Sequence, residues 1–150
     1  MNMVRFLLSR GADPTFCDWN GMMMSALEKA ASIGNVPALE AILDAGADLK
    51  TRGALFYAAS SGNLDVIELL LSRGADINEI PSDELIVDKF HDQGLGTALC
   101  VAASKGETEA VKLLLKRGAD PGIKHENGKS AMELAREKGH DDCVAILQGL

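Results

Sequence analysis

Apolar residues recur along the chain at spacings of three and four, in blocks that close on one triplet. Leu39, Ile42 and Leu43 stand in register with Ile67, Leu70 and Leu71, with Val111, Leu114 and Leu115, and with Val144 and Leu147. Positions i, i+3 and i+4 lay a single apolar stripe along a helix, and Glu40, Glu68 and Lys112 take the polar face between them. The stripes run into FLLSRGAD, AILDAGAD, LLLSRGAD and LLLKRGAD, so Gly-Ala-Asp recurs at Gly11, Gly46, Gly74 and Gly118. A second glycine lies 12 residues ahead of the last three, at Gly34, Gly62 and Gly106, and Gly139 opens one more block. The pattern predicts a short helix between each pair of glycines. Pro37 falls in a first turn, where its missing N–H costs nothing, and the glycine of each triplet stands where a left-handed residue closes a helix. Ahead of each block lies a smaller alanine-rich helix, SALEKAAS, ALFYAASS, TALCVAAS or SAMELARE, whose small side chains permit close helix packing.

Helices of about ten residues are marginal alone in water. Pairs of them without a private core bury their apolar faces against neighbouring pairs, which gives an elongated stack.

These blocks resemble ankyrin repeats, most closely in GALFYAASSGNLDVIELLLSRGADIN from Gly53 to Asn78 and GTALCVAASKGETEAVKLLLKRGADP from Gly96 to Pro121. The resemblance covers essentially the whole chain and implies an all-α ankyrin-repeat α-solenoid of stacked helix-turn-helix units with finger loops. On that alignment residues 1–16 form a half-repeat, and residues 17–50, 51–76, 77–120 and 121–150 form repeats. The family's T-P-L-H-x-A-A stretch departs here: its proline is Ala26, Ala54, Ala98 and Ala131, and its histidine is Glu28, Phe56, Cys100 and Glu133. The resemblance gives that histidine an inter-repeat structural role, so its loss predicts weaker polar ties between repeats. From Gly-Ala-Asp to the next block's glycine the distances are 23, 16, 32 and 21 residues, against a family value of about 21. One finger is therefore slightly long, the next is short, and an insertion occupies residues 77–94. The chain also begins out of phase: Met3 to Asp13 aligns with the second helix of a repeat. Upstream repeats are expected in the natural protein, an unusual cap being the other explanation.

Composition excludes several classes of function. The 150 residues are 47% apolar and 25% charged with four prolines, the make-up of a folded chain. A net charge of -7 argues against nucleic acid and anionic membranes as partners. No segment approaches the apolar length of a membrane span, so no membrane insertion is expected. Three scattered cysteines, Cys17, Cys100 and Cys143, make a poor disulfide framework and fit a reducing, cytoplasmic or nuclear location.

Candidate chemistry is thin. His140, Asp141, Asp142 and Cys143 include metal-ligand types, but four consecutive residues opening one helix cannot all face one ion, and acids there suit the helix dipole. Cys100 with His91 suggests a thiol nucleophile, yet Cys100 holds an internal position and reads as a small buried hydrophobe. The glycines are isolated helix stops and form no phosphate loop. No catalytic, cofactor or metal site is assigned.

The resemblance implies instead a noncatalytic intracellular protein–protein interaction module with a protein partner, bound on the concave surface of fingers and first helices. The positions that usually contact partners are Trp19, Asn20, Met22, Ser32, Ile33, Arg52, Ser60, Ser61, Ser104, Lys105, Glu126, Asn127, Lys129, Glu137 and Lys138. A sensor or autoinhibitory segment of a larger protein is the alternative. Trp19 with Met22, Met23 and Met24 suits an interface or covers the core that the missing first helix would expose. The insertion holds Glu79, Asp83, Glu84, Asp88 and Asp92 against Lys89 alone, with Leu85, Ile86 and Phe90 among them. It reads as a self-packed acidic decoration or as a lid, with Asp83, Glu84 and Phe90 as contacts, favouring basic or amphipathic partners. Phe6, Leu7 and Leu8 predict self-association through the half-repeat.

Overall fold

The structure, a computed structural model, describes residues 3–13, 25–49, 53–81 and 96–149. Among the described residues it contains nine helices and no strand, in the order α1 (Met3–Ser9), α2 (Ala26–Ser32), α3 (Val36–Asp44), α4 (Ala54–Ser60), α5 (Leu64–Ser72), α6 (Ala98–Lys105), α7 (Thr108–Lys116), α8 (Ala131–Lys138) and α9 (Asp141–Gln148). The even-numbered helices are the alanine-rich ones. They stack in one layer, α2 on α4 on α6 on α8, while α1, α3, α5, α7 and α9 stack in a second, and each even helix packs on the odd helix that follows it. This is an all-α solenoid of stacked helix pairs, the architecture that the resemblance implies.

Local chemistry sets the helix ends as the pattern requires. Ser25 and Ser130 each cap through the N–H of the residue three on, Glu28 or Glu133, whose carboxylate reaches back to the cap's own N–H. Two of the residues that replace the family's histidine thus complete capping boxes, satisfying helix-end donors. Thr97 caps α6 by accepting from the Cys100 N–H at 3.3 Å. The triplet glycines have φ of 86° to 94°, a region costly to any residue with a Cβ.

Burial follows the stripe. Leu39, Ile67, Leu70, Val111 and Leu114 are 0% exposed, and between the layers Ala31, Ala58, Ala59, Ala102, Ala103 and Ala135 are also 0% exposed. Alanine at these contacts lets the backbones approach closely, and the buried apolar residues from Leu27 to Leu147 form one continuous core. A fully buried leucine contributes about 1.5 to 3 kcal/mol by leaving water.

Polar ties between repeats exist, at the family's histidine position in the Cys100 thiol, which reaches the Ile123 carbonyl of the next repeat at 3.7 Å, and also at a second position. The residue after the glycine that separates the two helices of a pair reaches back to the first helix of the preceding pair. Asn63 donates through Nδ2 to the carbonyls of Ala31 and Ser32, at 2.8 and 2.9 Å. His140 Nε2 lies 3.1 Å from the Ser104 carbonyl. The carbonyls at a helix C-terminus have no partner within the helix, so these side chains complete α2 and α6 while joining repeats. The same contact explains Gly106: a Cβ there would lie 2.6 Å from His140 Nδ1, and its φ is 76°. Ion pairs Arg73–Asp44, at 3.0 Å, and Arg117–Glu68 join successive odd helices on the outside. Replacing Asn63 with alanine takes the amide donor from the Ser32 carbonyl and leaves the Ala31 carbonyl to the Gly34 N–H at 3.3 Å, and is expected to cost about 1 to 2 kcal/mol in chemical denaturation; an unchanged midpoint would show that water replaces the amide freely.

Candidate functional site

The first helices of the four pairs end at equivalent places, and side chains predicted to meet a partner fall into register there. Ser32, Ser60, Ser104 and Glu137 share one position, and Ile33, Ser61, Lys105 and Lys138 share the next. The three serines are half-buried, whereas Ile33, Ser61, Lys105, Glu137 and Lys138 are exposed. Because consecutive even helices touch, these positions make a stripe along the stack. Its character shifts from the apolar Ile33 through serines to the charged Lys105, Glu137 and Lys138.

The finger between α7 and α8 carries Glu126, Asn127 and Lys129 beside that stripe. It is a closed hairpin: the His125 N–H donates to the Lys129 carbonyl, and the Gly128 N–H to the His125 carbonyl, both at 2.8 Å. The Asn127 side chain accepts from the Lys129 N–H at 3.0 Å, and the Asn127 N–H donates to His125 Nδ1 at 3.2 Å. The ring beneath is buried, 6% exposed. It rests against Gly96, where an added Cβ would lie 2.8 Å from His125 Cδ2 and 2.9 Å from Cys100 Cβ. Lys129 forms an ion pair with Glu137, whose hydrogen bond and charge hold the Glu137 carboxyl below its ordinary value. An exposed pair of this kind contributes little energy, but it ties the finger to the end of α8. The Asp120 N–H also donates to Asn78 Oδ1 at 2.9 Å, joining this finger to the start of the preceding one.

Trp19, Asn20, Met22, Arg52, Asp83, Glu84 and Phe90 lie outside the described residues, as does His91. Sequence reasoning passed over His125, Asn63 and the two capping boxes. Ser-x-x-Glu at 25–28 and at 130–133 is a readable signal for the boxes. The packing of His125 on Gly96 has no local signal, because the two are 29 residues apart in sequence.

The residues weighed for chemistry diverge. His140 turns to the Ser104 carbonyl, Asp141 and Asp142 are exposed in the first turn of α9, and Cys143 is 0% exposed, with Sγ 3.6 Å from the Thr108 hydroxyl. Among the described residues no group of three His, Cys, Asp or Glu side chains could hold a metal ion. Burial pushes the Cys100 thiol up, so it stays protonated, and its sulfur donates to the Ile123 carbonyl at 3.7 Å. Glu79 is also raised, by burial first and then by the charges of Asp76 and Asp48. No helix among the described residues is long and apolar enough to cross a membrane.

What the arrangement offers is a row of solvent-facing side chains on a backbone fixed by inter-repeat contacts. Among curated proteins none matches the chain. A family model described as ankyrin repeats, in three copies, matches residues 1–80 and again 83–149. With the stacked helix pairs, the Gly-Ala-Asp stops and nearly the full length matched, the chain belongs to the ankyrin repeat family.

Proposed function

We infer that the chain is a noncatalytic module that binds a protein partner across the fingers and the ends of its first helices. Ankyrin repeats generally serve in protein–protein interaction. The observation that carries the reading for this chain is the in-register stripe Ile33, Ser61, Lys105 and Lys138, flanked by a finger closed on His125. A surface held in this way loses little conformational freedom on binding, so more of the contact energy appears as affinity. Exposed lysines beside serines offer hydrogen bonds and charge steering, and the buried cysteine thiols suit a reducing compartment.

The test is capture of partners from native lysate by the wild-type chain, by the triple variant Ser61→Glu, Lys105→Glu, Lys138→Glu, and by the variant Lys112→Glu, Lys116→Glu on α7. The stripe variant should retain its unfolding midpoint and lose the captured protein at least tenfold, a change of about 1.4 kcal/mol. The α7 variant should capture it normally. Loss with the α7 variant alone would move the binding surface to the outer layer.

A further inference from the structure

Successive repeats are joined at equivalent places, and one join departs from the other two. The residue after the glycine that separates the helices of a pair projects onto the matching glycine of the preceding pair. A Cβ added to Gly34 would lie 2.8 Å from Asn63 Oδ1, and one added to Gly106 would lie 2.6 Å from His140 Nδ1. From that seat both side chains bond to the same carbonyl of the preceding first helix, that of Ser32 or of Ser104. At the middle join the residue is Glu107. It takes the same seat, since a Cβ on Gly62 would lie 2.9 Å from Glu107 Cδ, with Oε2 closer still. The carbonyl equivalent to those of Ser32 and Ser104 is that of Ser60, the last residue of α4.

A carboxylate cannot do there what the amide and the imidazole do, because an ionised carboxylate only accepts hydrogen bonds. Among the described residues the Glu107 side chain forms no hydrogen bond or ion pair. The Ser60 carbonyl accepts no turn or cap hydrogen bond from the backbone, as expected at a helix end. A helix C-terminus also carries partial negative charge, so an acid there opposes the dipole. Local rules are broken in this way chiefly at functional sites. Glu107 is also well placed for one: exposed Ser61 directly follows Ser60, and Lys105 of the candidate stripe lies two residues before Glu107. Ser60 and Glu107 are themselves half-buried, open to solvent on one side.

We propose that Glu107 is a specificity-determining residue beside the stripe and receives an arginine side chain of the bound protein. The guanidinium suits the place because its planar fork presents several N–H donors, enough for the carboxylate and the Ser60 carbonyl together. Its positive charge is also favoured at the C-terminal end of α4. The partner thereby supplies the donor that Asn63 and His140 supply from within the chain at the other two joins. The assignment rests on reading the stripe as the partner-binding surface, and it adds the chemistry of one contact: a basic residue seated between the groups that meet Ser61 and Lys105. Arginine is among the residues that carry most energy at protein interfaces, so this contact distinguishes partners that have it from those that do not.

N-acetyl-arginine methylamide, titrated into the 150-residue chain, tests the contact without the partner, so its outcome is independent of the capture experiment that tests the stripe. The backbone amide resonances of Ser61, Gly62 and Glu107 should shift along one saturating curve, and the uncharged citrulline analogue should leave them in place. Glu107→Asn, which copies Asn63, should abolish the shifts. It should also lower the unfolding equilibrium constant about fivefold, because the new amide donates to the Ser60 carbonyl. Glu107→Gln, which removes only the charge, should lose most of the affinity for the arginine analogue. The proposal is overturned if the analogue moves none of the three amides, if citrulline moves them equally, or if the shifts survive in both variants. It is overturned equally if Glu107→Asn unfolds more readily than the wild type, since the carboxylate would then serve the chain's own fold.

Discussion

Truncating Leu114 to alanine is expected to lower the unfolding free energy by about 3 kcal/mol, while the same truncation at Leu7 should change it by under about 1 kcal/mol at dilutions where the chain is monomeric. The two leucines hold the same position in their repeats, three residues after Val111 and Val4. Leu114 is 0% exposed, within the continuous core, between the α5 and α9 neighbours of its helix. Removing its isobutyl group forfeits the transfer energy and leaves a cavity that helices pinned on both sides cannot collapse. Leu7 is 49% exposed, and α1 packs on α3 alone among the odd helices. Its truncation removes half-solvated surface and leaves no closed void. Urea unfolding of both variants checks this, and equal losses would show that the end repeat is packed as tightly as the middle.

Amide exchange should differ more sharply still. In a linear stack each repeat is stabilised by its neighbours, so opening begins where one neighbour is missing. The amides of Leu7, Leu8 and Ser9 in α1 should exchange about 1,000-fold faster than those of Leu69, Leu70 and Leu71 in α5. That ratio corresponds to about 4 kcal/mol between local fraying and an opening near the global stability. Measured in the dilute monomer, uniform protection along the chain would mean the stack unfolds as one unit from both ends.

Much of this protein was legible in its sequence because the information is local and repeated. A stripe at i, i+3 and i+4 specifies a helix and the face it buries, since both follow from the 3.6-residue turn; Ile67 and Leu70, read as core, are 0% exposed. Gly74 and Gly118 mark helix ends because only a residue without a Cβ readily takes φ of 92° and 94°. Repetition of those local signals was enough to specify the stack and the family. Tertiary structure alone decided what depends on residues far apart in the chain. Glu28 and Glu133, read as lost inter-repeat ties, serve as caps, and the tie passes to Asn63 and His140, which meet carbonyls 32 and 36 residues away. The finger's footing on His125 requires the absent Cβ of Gly96, visible only when the two are brought together. The same sequence position also has opposite fates, Leu114 sealed and Leu7 open, because burial in a stack is set by whether a neighbour exists and not by the residue itself.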